Sequence, residues 1–483
     1  MAVEWKGDGP GLLLQLDRDA PRQLGHQLQE QLRAAIRAGA LRPGERLPSS
    51  RGLAEQLGIS RGLVVDTYAQ LYAEGYLVSE VGSGTRVADR AEATAEPTTA
   101  DDSHSGAGSA PRVEHPPRRF DVDFEYGIPD LASAPVRDWV WALGDAARLA
   151  PATLMGDEPA PGDPRLRDVL AAYHRRVRAG ASIPERTLVT TGFRHALTLV
   201  FATLAKHGIQ AVGLESPGPR DHDRIAERHG LQAVPIPVDE DGVDVAHLHE
   251  SSARAVVLTP AHQCPTGVAL SPVRRQELMA WAEQVDGFVI EDDYDSEFRY
   301  DRQPVGSLQG LAPERVIALG SVSKTLAPGI RIGWIFAPPT LVDGLVETKA
   351  LTSRGAPALD QLALARLMES GRYDRHLRRM RTTYQARRDA LIAAVDEYLP
   401  ELRLTGLAAG CHAVLRLPEG TDEATVVAEA EKRAVSVRGL GNYQLGNVGA
   451  GTPGLVMGFG NVNESAIRRG VRVLAEVLDP GQR

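Results

Sequence analysis

Val316-Ile317-Ala318-Leu319 runs into Gly320-Ser321-Val322-Ser323-Lys324, and Pro328-Gly329-Ile330-Arg331-Ile332-Gly333-Trp334 follows shortly after. Four aliphatic residues in a row, ending on glycine and hydroxyl residues, predict a strand buried on both faces that stops at a polar turn. A lysine between hydroxyl residues just past such a strand is a candidate Schiff-base former. Arg331 and the hydroxyls of Ser321 and Ser323 suit a phosphate. Upstream, Phe288-Val289-Ile290-Glu291 runs in the same way into Asp292-Asp293-Tyr294-Asp295. A carboxylate at that strand end suits a protonated pyridine nitrogen.

Further out, Thr187-Leu188-Val189-Thr190, Ala211-Val212-Gly213-Leu214 and Ala255-Val256-Val257-Leu258-Thr259 repeat the pattern between helical stretches. Apolar strands alternating with helices predict an α/β domain with a largely parallel, buried sheet. Ligands in such folds sit at the carboxyl ends of the strands. Thr190-Thr191-Gly192-Phe193-Arg194 joins one of these strands to a helix over 196–205, whose N-terminus is a second place for phosphate. Each piece alone is weak. A Ser-x-Ser-Lys is usually a surface loop, and Asp292-Asp293 also fits a magnesium site or a solvated turn. The ordered set Gly192, Asp292, Tyr294, Lys324 and Arg331 carries the argument.

From Ala91 to Pro117 the residues are mostly Ala, Thr, Ser, Glu, Asp, Gly and Pro, with Val113 the only large aliphatic. Such a stretch buries too little apolar surface to offset its ordering entropy, which predicts a flexible linker over 91–117. The alternative is a long surface loop within one domain. About 90 residues precede it and about 365 follow, as expected for a multidomain chain. With 43% hydrophobic and 24% charged residues, the chain is not mostly disordered. No apolar run reaches the roughly 18 residues of a membrane span. The start, Met1 to Asp8, lacks the pattern of a secretory signal. Cys264 and Cys411 are too few for a disulfide framework or a four-cysteine zinc site. A reduced, cytoplasmic protein without a structural metal is expected. The net charge of −9 advertises no chain-wide nucleic-acid surface.

A local basic patch exists nonetheless. Leu24, Leu28, Leu32, Ala35 and Ile36 recur at helical spacing, and Arg42-Pro43-Gly44 follows. Ser49-Ser50 can cap a short helix over 51–57, stopped by Gly58, and Ser60 can cap a third over 61–74. Tyr76-Leu77-Val78 and Thr85-Arg86-Val87 read as strands around Val81-Gly82-Ser83-Gly84. Three helices and a hairpin make a winged helix-turn-helix, whose third helix would enter a major groove with Ser60, Arg61 and Gly62 leading. Arginines 33, 37, 42, 46, 51 and 61 face only Glu45 and Glu55 over 33–63, although 1–90 is balanced overall. That polarised charge suits DNA. A small helical protein-interaction domain is the alternative reading.

Leu41-Arg42-Pro43-Gly44-Glu45-Arg46-Leu47-Pro48-Ser49-Ser50-Arg51, then Leu53-Ala54, Leu57-Gly58-Ile59-Ser60-Arg61, Gly75-Tyr76-Leu77 and Gly82-Ser83-Gly84-Thr85, resembles the GntR-type winged-helix signature. The resemblance implies DNA contacts from Ser49, Ser50, Arg51, Ser60, Arg61, Gly62, Thr67, Gly84 and Thr85. The remainder resembles fold-type I, pyridoxal-phosphate-dependent aminotransferases over most of 120–475. That likeness implies the Schiff base on Lys324, Asp292 at the pyridine nitrogen and Tyr294 at the ring hydroxyl. It implies phosphate contacts from Arg331, Ser321, Ser323, Gly192, Phe193 and Arg194, with the Thr259–Gly267 stretch, including His262, lining the cofactor. The combination is the layout of the MocR regulators, and Glu291 through Tyr300 is close to that subfamily. The expected architecture is therefore a small α+β winged helix-turn-helix over 11–90, the linker, and an α/β aminotransferase-like domain over 118–483. A large subdomain at about 150–375 and a small one at about 376–483 would divide the latter. A head-to-tail homodimer, double-stranded operator DNA and a small-molecule effector are the implied partners.

Three departures bear on the effector. Pro219 follows Pro217-Gly218 where relatives usually carry an aromatic residue. Met155 precedes Gly156 where the aminotransferases have Tyr. Asn442 stands where the GABA-sensing members have a carboxylate-gripping Arg, with Arg438 a shifted substitute. The expectation is a regulator that senses pyridoxal phosphate, as the vitamin B6-responsive members do, and is not an enzyme, though slow half-reactions remain open. A regulator sensing an amino acid or amine, and a working aminotransferase with a DNA-binding appendage, are the alternatives.

Overall fold

The computed structural model describes residues 2–4, 13–17, 24–80, 84–88, 120–157, 159–219, 221–300, 305–353, 355–446 and 452–478. The expected linker over 91–117 and the wing tip at Gly82 and Ser83 lie outside the described residues. The chain divides into two compact units, 1–114 and 115–483.

In the first unit, β1 (Ala2–Glu4) pairs antiparallel with β2 (Leu13–Gln15), a ribbon the sequence did not announce. Then come α1 (Leu24–Arg37), α2 (Ser50–Leu57), α3 (Arg61–Ala73) and the antiparallel pair β3 (Leu77–Glu80) and β4 (Gly84–Val87). Ser49 caps α2 by accepting from the Gly52 N–H at 3.1 Å, and Ser60 caps α3 by accepting from Leu63 at 3.3 Å. Gly58 ends α2 in the left-handed region at φ 63°, which favours glycine. Leu28, Leu32, Ile36, Leu53, Val64, Leu71, Leu77 and Val87 close one core between helices and hairpin.

The second unit opens with β5 (Val122–Asp123), α4 (Val136–Leu149) and α5 (Pro164–Arg178). Its main part alternates β6 (Thr187–Thr190), α6 (Phe193–Lys206), β7 (Ala211–Ser216), α7 (Asp221–Arg228), β8 (Gln232–Asp239), β9 (Gly242–Val243), α8 (Val245–Glu250), β10 (Ala255–Leu258), α9 (Pro272–Gln284), β11 (Phe288–Asp292), α10 (Leu308–Leu311), β12 (Val316–Ser321), β13 (Gly333–Phe336), α11 (Pro339–Thr352) and α12 (Ala358–Glu369). Eight strands form one sheet in the order β6-β13-β12-β11-β10-β7-β8-β9. The pairs β8–β7, β7–β10, β10–β11 and β11–β12 are parallel; β13 runs antiparallel to both its neighbours. Every residue of β6, β7, β10 and β11 is buried, which is why these segments are mostly apolar, with polar residues only at their ends.

The long α13 (Arg372–Tyr398) leads to β14 (Arg403–Thr405), β15 (His412–Arg416), α14 (Glu423–Lys432), β16 (Val435–Ser436), β17 (Arg438–Gly439), β18 (Gly454–Gly458) and α15 (Glu464–Leu478). A second sheet has the order β14-β15-β18-β17. The first strand of this unit belongs with its last part, because β5 pairs in parallel with β16. That pairing carries Tyr126 and Gly127 towards the carboxyl ends of the main sheet.

Candidate functional site

Neighbouring strands deliver the polar groups together. Asp292 ends β11 and Ser321 ends β12, with Asp292 in register with Leu319. The connection from β12 to β13 carries Ser323, Lys324 and Arg331. All five side chains line one cavity of about 310 Å³, together with Phe193, Arg194, Tyr294 and Tyr126. Arg331 adopts φ 57°, and a β-carbon on Gly192 would lie 3.1 Å from its guanidinium. Gly192 itself has φ 108° and caps α6, so both the turn and the close approach require glycine. Among the described residues the Arg331 guanidinium has no hydrogen-bond partner, which leaves a cation open to the cavity.

Asp292 is 8% exposed, and burial, reinforced by Asp293 and Asp295, holds its carboxyl well above the ordinary range. Lys324 opposes that shift. Burial in turn lowers the Lys324 ammonium, which favours a neutral, nucleophilic amine. Its Nζ donates to the Gly127 carbonyl and lies 5.9 Å from the centre of the Tyr126 ring. A β-carbon on Gly127 would meet Nζ at 2.8 Å.

The wall behind these groups is a hydrogen-bonded layer. The Tyr294 hydroxyl donates to the His262 carbonyl at 2.9 Å. His262, expected to line the cofactor, is buried outside the cavity lining, with Nδ1 2.9 Å from Asp295 and Nε2 3.2 Å from the Gly406 carbonyl. His262, Asp295 and His412 offer ligand atoms within 4.8 Å of one another. Both nitrogens of His262 and Nε2 of His412, 3.0 Å from the Pro265 carbonyl, already have partners, so the trio reads as packing and not as a metal centre. Glu215 anchors the Thr259–Gly267 loop by accepting from Thr259 Oγ1 at 2.8 Å and from Thr259 N at 3.1 Å, and burial pushes its carboxyl up to about 7.

Other expectations need correction. Arg194 reaches the cavity but is ion-paired to Asp221. Arg438 is held by Glu125 at 2.7 Å, and neither Arg438 nor Asn442 lines the cavity. Met155 ends a short helical turn and is 65% exposed. Sequence reasoning missed Tyr126, Gly127, Asp221 and His222, which approach the cavity from distant or connecting segments. The change from strand to helix after Pro219 was the one signal that could have pointed to the last two.

In the first unit, Arg51 and Arg61 are exposed at the N-terminal turns of α2 and α3, without side-chain partners among the described residues. Ser49 and Ser60 spend their hydroxyl acceptors on the caps, Ser50 is half-buried, and Gly62 is exposed. Gly84 opens β4 against the Arg46 side chain, and the Thr85 carbonyl accepts from Leu47. Arg33 and Arg37 are committed to Glu74 and the Tyr76 hydroxyl. Thr67, expected to contact DNA, is fully buried beside Val64, Tyr68 and Leu71, with its hydroxyl unpartnered. It lies on the core face of α3, so it reaches no groove.

Unit by unit, the fold defines a winged helix-turn-helix protein with a fold-type I aminotransferase domain. Residues 24–87 match the bacterial regulatory proteins of the gntR family, and residues 122–440 match the aminotransferases of class I and II. The chain is 34% identical to the HTH-type pyridoxine biosynthesis transcriptional regulator PdxR of Corynebacterium glutamicum, covering 97% of this chain and 98% of that one. It is 33% identical to the probable rhizopine catabolism regulatory protein MocR of Rhizobium meliloti, covering 96% and 95%. Among solved structures, an archaeal alanine:glyoxylate aminotransferase matches with TM-score 0.67 and 26% identity, over 74% of this chain and 91% of that one. A multiple substrate aminotransferase from Thermococcus profundus matches with TM-score 0.69 and 25% identity, over 75% and 92%. The chain belongs to the MocR subfamily of GntR-type transcription regulators.

Proposed function

We propose that this regulator binds operator DNA through a domain spanning 11–90 and senses pyridoxal 5'-phosphate through a domain spanning 118–483, joined by the segment 91–117. The observation that carries the reading is the convergence of Asp292, Lys324 and Arg331 on one cavity. The residues fit the group. A buried carboxylate without a hydrogen-bond partner among the described residues needs a cation, and a ring nitrogen that holds a proton supplies one. Arg331, without a hydrogen-bond partner among the described residues, suits a phosphate together with Ser321 and Ser323. When bound, the group offers an aldehyde carbon and an electron-withdrawing ring. Lys324 provides the amine, whose charged form burial disfavours, and the Gly127 carbonyl accepts from it. Asp292 would hold the protonated ring nitrogen, and Tyr294, which lines the same cavity, would contribute to holding the ring.

Pyridoxal phosphate is favoured over an amino acid as effector because Arg438 is occupied by Glu125 and lies outside the cavity lining. The similarity to a pyridoxine biosynthesis regulator points the same way. A regulator, and not an aminotransferase, is the reading supported by relatives named as HTH-type regulators. Arg51 and Arg61, exposed at helix N-termini and without side-chain partners among the described residues, are the proposed DNA contacts. The test is a gel shift of the full chain on its own upstream region, with and without pyridoxal phosphate. Different affinities are expected; identical affinities, together with a response to an amino acid, would refute the effector.

A further inference from the structure

The cavity groups named so far hold a ligand by its edge. On that reading Asp292, Lys324 and the Arg331 cluster would each meet one atom or substituent at the rim of a flat ring. None of them covers a face of that ring, and an uncovered face leaves both its apolar area and its tilt unsatisfied. Among the lining side chains with π faces, Tyr126 is already engaged. Its ring makes edge contacts with Tyr294 at 6.3 Å, His412 at 4.7 Å and Tyr443 at 6.3 Å. Tyr294 is fixed by its hydroxyl bond to the His262 carbonyl.

His222 differs. It lies in the first turn of α7, its backbone N–H bonded to the Pro219 carbonyl, so residues 219 and 222 share one face of the chain. Pro219 offers that face a saturated ring. The His222 side chain is 7% exposed, lines the cavity, and packs on Phe193 with ring centres 5.5 Å apart and planes tilted by 40°. Its two ring nitrogens have no hydrogen-bond partner among the described residues. A buried imidazole that serves neither a network nor a metal is a flat wall.

We infer that the imidazole of His222, backed by Phe193, is the surface on which the face of the pyridoxal ring rests. The inference rests on the proposed reading of the cavity. The charge logic agrees with it. Burial lowers the His222 ring to about 4, with Asp221 opposing and Arg194 adding to the effect, so it is neutral near pH 7. A neutral π face tolerates a ring that Asp292 keeps cationic, whereas a charged imidazolium would repel it.

Full-length wild type and the variants His222→Ala, His222→Gln and His222→Phe would be titrated with pyridoxal phosphate by absorbance. Visible circular dichroism would report the tilt of the bound ring, and melting temperature would be measured without ligand. Loss of the flat face should weaken binding about tenfold, or about 1.4 kcal/mol, in the Ala and Gln variants and change the dichroic band. His222→Phe should bind within about threefold of wild type, since stacking needs a ring and not a nitrogen. Wild-type affinity and dichroism in both Ala and Gln variants would overturn the inference while leaving the cavity assignment standing. So would retention by Gln with loss by Phe, which marks a hydrogen bond, or a lowered melting temperature with unchanged affinity, which marks packing alone. A wild type that binds no pyridoxal phosphate would overturn the cavity reading and this inference with it.

Discussion

The guanidinium of Arg331 lies over the backbone of Gly192, so closely that a single β-carbon would meet it at 3.1 Å. The two residues belong to different strand ends, and each holds a positive φ, 108° at Gly192 and 57° at Arg331. Gly192→Ala should strain the turn by about 1–2 kcal/mol and push the cation out of line. The expected outcome is a fall in pyridoxal phosphate affinity of tenfold or more by absorbance titration, with a lowered melting temperature. Unchanged affinity would show that this cation does not serve the ligand.

Lys324→Ala should remove covalent attachment. After borohydride treatment of the loaded wild type, intact mass should include the ligand; in the variant it should not. A retained adduct would move the Schiff base to another lysine.

Arg51→Ala and Arg61→Ala should each weaken operator binding by about 1–3 kcal/mol if the side chain reads a base edge. Fluorescence anisotropy at several salt concentrations checks this. A phosphate contact would instead lower the salt slope by about one. Thr67→Val should leave DNA affinity unchanged, since the hydroxyl is buried, and should not lower stability, since that hydroxyl has no partner among the described residues.

His174 stacks on Phe336 at 4.4 Å and shares a 2.6 Å hydrogen bond with Ser182, and burial lowers its ring from 6.5 to about 4. Asp293 opposes the shift; Arg178 and Arg175 add to it. Its unfolded form takes a proton first as pH falls, so its contribution is full above about 6.5 and drains away towards 4. Linkage puts that contribution at about 3 kcal/mol. Melting temperature should fall over that window, less steeply in His174→Asn. Equal slopes would exclude His174 as a source of the loss.

Val136 and Val140, one turn apart on one face of α4, are 64% and 60% exposed. A second copy of the chain is expected to cover such a surface. Light scattering should give a dimer for the wild type and a monomer for Val136→Glu with Val140→Glu.

Much of this was readable from the chain because the site grows from strand ends. Strands β6, β7, β10, β11 and β12 are unbroken apolar runs, and polar residues at their ends mark where a ligand meets the sheet. Strand β8 was hidden by Pro235 and Pro237, which normally argue against a central strand; it survives near the sheet edge, where β9 pairs only with Val238 and Asp239. Strand β13 is hidden because Gly333-Trp334 continues the arginine motif without a break. The fate of Arg438 was illegible, since its partner Glu125 lies 313 residues away. Thr67 was legible: it shares the helical face of Val64, Tyr68 and Leu71, and periodicity alone places it in the core.

The bond from Lys324 to the Gly127 carbonyl spans 197 residues of sequence and ends close to where the second unit begins. The amine cannot serve two masters. Any occupant that takes up its nitrogen withdraws the donor from Gly127 and leaves a part-buried carbonyl short of a partner, at about 1 kcal/mol. That is within the range by which one site ordinarily influences another. Chemistry at a single nitrogen is thereby registered in the backbone near the start of the second unit.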